Sequence, residues 1–71
     1  MKLTLILDPA PTGVLASLVE EWEETGGTAK MAPMVRLFDG EEQAIVWGRV
    51  RATRRGLKQI YLIDNRKPLP Q

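Results

Sequence analysis

The stretch 41-EEQAIVWGRVRATRRG-56 can be written as either of two structures, and the fold follows from the choice. As a helix it opens on Glu41 and Glu42, closes on Arg54 and Arg55, and has Gly56 just past its end, which suits the helix dipole and the usual C-terminal geometry. Asp39 and Glu42 have the spacing of a capping box. As a strand, Val46, Gly48, Val50 and Ala52 alternate with Trp47, Arg49, Arg51 and Thr53, and Arg54-Arg55-Gly56 fits a three-residue hairpin loop. The hairpin is the preferred reading. Ile45, Val46, Val50 and Thr53 are β-branched, and Gly48 inside a helix costs about 1 kcal/mol.

Working outward, Leu57 to Ile63 reads as the second arm of that hairpin, with Ile60 and Leu62 on one face. On the amino-terminal side, Met34 to Phe38 is a short strand ended by the turn dipeptide Asp39-Gly40. At the start of the chain Leu3, Leu5 and Leu7 alternate with Lys2, Thr4 and Ile6, the period of a strand, which Asp8-Pro9 ends. Between these, Val14, Leu15, Leu18, Val19 and Trp22 fall on one helical stripe. Glu20, Glu21, Glu23 and Glu24 fill the other side, and Gly26-Gly27 would stop the helix. One feature fits poorly: Glu23 and Glu24 fall in the last turn, where the dipole disfavours acids by roughly 0.3–1 kcal/mol each. Glutamates that keep a surface soluble account for it most simply.

The expected fold is therefore α+β, in the order β-α-β-β-β, with one amphipathic helix packed on a mostly antiparallel sheet; the alternative is β-α-β-α-β. Residues 1–64 form the domain and 65–71 an extended polar tail.

Seventy-one residues make one domain at most. So short a chain buries only about 60% of the surface its unfolded form exposes, so oligomerisation is a natural way to gain area. There is no histidine and no cysteine. That removes the commonest general base, thiolate zinc sites, disulfides and His-activated nucleophiles. No apolar run approaches the roughly 20 residues of a membrane span, and residues 1–7 do not make a signal peptide. A cytoplasmic protein with no membrane partner is expected.

The net charge of +1 hides a division. Residues 1–43 carry eight acids and three bases, a net −5, and residues 44–71 carry seven bases and one acid, a net +6. A basic half of this kind calls for internal pairing or a polyanionic partner. In the hairpin, Trp47, Arg49, Arg51 and Tyr61 share one sheet face, and Arg54, Arg55 and Lys58 lie at the loop. In the helix, Arg51, Arg54, Arg55 and Lys58 fall within about 100° of one another beside Trp47. Either way Arg49, Arg51, Arg54, Arg55 and Lys58 are the candidate phosphate or base contacts, with Trp47 and Tyr61 stacking. The function expected is non-catalytic binding of DNA or RNA. A protein-interaction module, either a homo-oligomer or a binder of an acidic protein, is the alternative.

A third reading rests on Asp8, Asp39 and Asp64, each of which follows an apolar strand. Three carboxylates at the ends of parallel strands could hold Mg²⁺ for nuclease chemistry. Aspartate is also a common strand-ending and capping residue, so no metal ligand and no cofactor is assigned.

Overall fold

The computed structural model describes residues 1–66. Most of the expected tail lies outside them. The elements run β1 (Lys2–Pro9), β2 (Val14–Glu24), β3 (Gly27–Lys30), β4 (Met34–Phe38), α1 (Glu41–Arg54) and β5 (Tyr61–Asp64). They form a five-stranded sheet, mostly antiparallel, and one helix, so the α+β class holds. The order does not: it is β-β-β-β-α-β. The helix expected at 14–24 is a strand, and the hairpin expected at 41–63 is a helix, a loop and a short strand.

The segment 14–24 is a strand because both of its faces have work in a sheet. Val14, Ala16 and Leu18 are buried on one side, while Leu15, Ser17 and Val19 are half-buried on the other. It pairs antiparallel with β1 over residues 14–21, from Lys2↔Glu21 to Pro9↔Val14. Its other edge takes β4 beside residues 14–18 and β3 beside residues 21–24. The four glutamates that would have crowded at i, i+3 and i, i+4 on a helix alternate here instead, free of any macrodipole. Gly26, with φ 95°, belongs to a hairpin turn between β2 and β3. At the β1–β2 turn Gly13 has φ 81°, and a Cβ there would lie 2.0 Å from the Phe38 carbonyl oxygen, so only glycine fits.

The segment 41–54 is a helix because its ends and its packing both favour one. Acids occupy the first turn, and Arg51 and Arg54 the last. Gly56, with φ 73°, ends it in a Schellman motif: the Gly56 amide donates to the Thr53 carbonyl at 3.0 Å and the Leu57 amide to the Ala52 carbonyl at 2.8 Å. The N-cap is Gly40, and the Gln43 Oε1 accepts from the Asp39 amide in place of the expected Glu42. Gly48 is offset by close approach. Ala44, Gly48 and Ala52 form the buried row of the helix, and a Cβ at Gly48 would meet Leu5 Cδ2 and Ile60 Cδ1, each at 3.3 Å. The sheet supplies the bulk of this core through Leu3, Leu5, Leu7 and Leu18. Each buried leucine contributes about 1.5–3 kcal/mol. The β-branched Val46 and Val50 face solvent, where their low propensity costs only tenths.

The connection β4–α1–β5 carries the chain across β2 and β1, so β5 adds parallel to the far edge of β1. Asn65 and Arg66 follow β5 and contact the residues around it. The Asn65 amide donates to the Leu7 carbonyl at 2.8 Å, and Arg66 pairs with Asp64 and Glu41. α1 covers one face of the sheet, and among the described residues no element covers the other.

Candidate nucleic-acid interface

The helix sets where the cations go. At about 100° per residue, Arg49 and Arg51 point to opposite flanks of α1 and Arg54 lies between them on the solvent side. Arg51 and Arg55 share the flank over β2. There they meet Glu20, whose side chain points toward the helix and is 1% exposed. Arg51 Nε donates to Glu20 Oε1 at 2.6 Å, and Arg55 Nε and Nη2 donate to Oε1 and Oε2 at 3.3 and 3.2 Å. Burial pushes the Glu20 carboxyl up; the hydrogen bonds from Arg51 and Arg55, reinforced by their charges, more than reverse this and hold it below the usual range.

Arg49 leaves by the opposite flank, toward the loop that leads to β5. It lines a cleft of about 370 Å³ with Thr53, Lys58 and Gln59. Leu57 and Ile60 line the apolar part of its wall, and among the described residues no acidic side chain lines it. Arg49, Arg54 and Lys58 are exposed and have no carboxylate partner among the described residues.

The two aromatic residues do not join them. Trp47 is half-buried and packs on Phe38 with ring centroids 5.2 Å apart, so its ring belongs to the contact between α1 and β4. Tyr61 lies on the sheet face away from the helix, with Lys2 Nζ 4.7 Å from its ring centre. The shared aromatic and basic face therefore dissolves, because it depended on pairing 46–53 with 57–63.

The three aspartates do lie at one end of the sheet, because β1, β4 and β5 run parallel to one another. They do not converge. Asp64 shares the helix side with its neighbour Leu7, Asp8 points to the opposite side, and Asp39 is two strands away. Asp8 accepts from Asn65 Nδ2 at 2.9 Å, and Asp64 binds Arg66 at 2.9 Å. Among the described residues no three carboxylates are close enough to hold a cation.

Sequence reasoning missed Glu20. It sits among four glutamates, and the only local sign of its role is that, in a strand, it falls on the same side as Leu18 and Ala16. Among the described residues no helix is long and apolar enough to cross a membrane. In comparisons with protein-family models, curated proteins and solved structures, no match to this chain was found.

Proposed function

We propose that this chain is a small, non-catalytic, cytoplasmic protein that binds nucleic acid through the cations of the carboxy-terminal half of α1 and the loop that follows. One observation carries the reading: around that half-helix Arg49, Arg51, Arg54, Arg55 and Lys58 meet a single carboxylate, Glu20, which leaves a local charge of +4. Glu20 does not neutralise the patch so much as orient it. It fixes two guanidinium groups by some of their N–H donors and leaves the others to face solvent. Arg49 and Lys58, with Thr53 and Gln59 between them, form a cleft that can seat a phosphate between two charges and two neutral hydrogen-bonding groups. Contacts of this kind position a backbone and are read as salt-dependent, sequence-tolerant affinity.

The test is a titration with single-stranded and duplex oligonucleotides at two salt concentrations, using the wild type and the R49A/K58A pair. Binding should weaken by a similar factor on every sequence, and the slope of log K against log salt should fall by about 1.4–1.8, the release of two counterions. Equal affinity and equal slope in the two proteins would refute the assignment. An acidic polypeptide that competes while oligonucleotides do not bind would move the function to a protein partner.

A further inference from the structure

The sheet face turned away from α1 is the largest feature that the proposed function leaves unused. Register places Lys2, Thr4, Ile6 and Asp8 of β1 on it, with Leu15, Ser17, Val19 and Glu21 of β2, Val35 and Leu37 of β4, and Tyr61 and Ile63 of β5. Val35 is 59% exposed, Leu37 56% and Ile63 47%. A shallow groove of about 370 Å³ runs over Thr4 between Val19 and Tyr61. A sheet with apolar groups on both faces needs a layer on each side, and the described chain supplies one. Uncovered apolar patches of several hundred Å² mark contact surfaces.

The charges at the rim say what fits there. Lys2 and Glu21 are cross-strand neighbours on this face, yet among the described residues no ion pair joins them, and Lys2 Nζ lies over the Tyr61 ring instead. A two-fold axis parallel to the strands and midway between β1 and β2 exchanges those strands between copies. Lys2 of each copy then lies over Glu21 of the other. The same operation sets Ile6 over Ser17, Val19 over Thr4 and Ile63 over Val35, so the aliphatic side chains of each copy meet aliphatic or small side chains of the other. The two-fold axis perpendicular to the strands through the centre of the face sets Lys2 over Asp8 but is poorer, because it lays both Glu21 and Lys30 on leucines of the other copy. The parallel axis lays only Asp8 on a leucine, and Asp8 already accepts a hydrogen bond from Asn65.

We infer that the chain forms a symmetric dimer through this open sheet face, with Lys2 of each copy paired to Glu21 of the other and the two helices on the outside. The dimer is a four-layer α/β/β/α body with its inner sheets about 10 Å apart. The flat face measures roughly 19 by 20 Å from strand spacing and rise, so the two copies bury on the order of 800–1,000 Å². That is the small end of specific interfaces, and the dimer is reversible. It leaves the cations of α1 exposed and holds whether or not they bind nucleic acid.

Sedimentation equilibrium of the chain alone, from micromolar to millimolar concentration, tests the proposal. The wild type should move reversibly from monomer to dimer. V35E, at a position mostly exposed in the single chain, should keep its circular dichroism spectrum and remain monomeric. K2E and E21K should each associate at least tenfold more weakly than the wild type, since each sets like charges face to face. An equimolar mixture of the two should regain the dimer, because every rim contact then joins opposite charges. A wild type that stays monomeric at millimolar concentration, or a V35E protein that dimerises as well as the wild type, overturns the proposal. A mixture of K2E and E21K that associates no better than its parts overturns the axis and with it the pairing.

Discussion

Replacing Glu20 by glutamine removes one charge at constant shape and tests what holds the helix on the sheet. The carboxylate takes three N–H donors from two arginines at 2.6, 3.3 and 3.2 Å. The amide keeps one acceptor oxygen and turns an NH₂ group toward a guanidinium that can only donate. Breaking a fully buried ion pair costs about 3–5 kcal/mol. Arg51 and Arg55 are 27% and 40% exposed, so each recovers part of its hydration, and the expected loss is about 2 kcal/mol. A 71-residue domain has about 4–11 kcal/mol in total, so the change is large. The urea midpoint should fall by about 1–2 M at unchanged m, and Tm by about 8–16 °C.

The same substitution fixes the pH dependence. The Glu20 carboxyl is held below its ordinary value of 4.5 in the folded chain. Between 4.5 and that lowered value the unfolded chain binds more protons than the folded one, so stability rises with pH. The contribution is complete above 4.5 and is lost as pH falls through the folded value. The gap in stability between wild type and E20Q should therefore narrow steadily below about pH 4.5. Identical midpoints at neutral pH, or a gap that stays constant into acid, would refute the view that Glu20 clamps α1 through its charge.

Gly48→Leu should destabilise the fold by at least about 2 kcal/mol, since its side chain has to displace Leu5 and Ile60 from beneath the helix; chemical denaturation reads this directly. Gly56→Ala should cost about 1 kcal/mol, because the residue after the helix holds φ 73°, and the loss should appear as a lower Tm.

β1, β4 and the Asp39-Gly40 turn were legible in the sequence because their alternation and turn chemistry have one reading each. Residues 14–24 were not. Leu15 and Val19 face the uncovered side of the sheet, and their presence turned a two-residue period into an apparent helical stripe. The warning was physical and present: Glu23 and Glu24 oppose a helix dipole that does not exist there. For residues 41–56 every end signal pointed to a helix. What outweighed them was the β-branched content and the cost of Gly48, and that cost is offset by close packing on Leu5 and Ile60, which lie 43 and 12 residues away in sequence. The basic half was legible as composition. Its division between the two flanks of α1 was not, because the pairing of Glu20 with Arg51 spans 31 residues and has no local signature.

The most direct test of the central claim is an NMR titration of ¹⁵N-labelled protein with a short single-stranded oligonucleotide at low salt. Amide shifts should concentrate in residues 49–59, with those of Arg49, Thr53 and Lys58 among the largest, and should collapse at high salt. Shifts confined to β1, β2 and β4, or no shifts at all, would contradict the assignment of this helix end as the nucleic-acid surface.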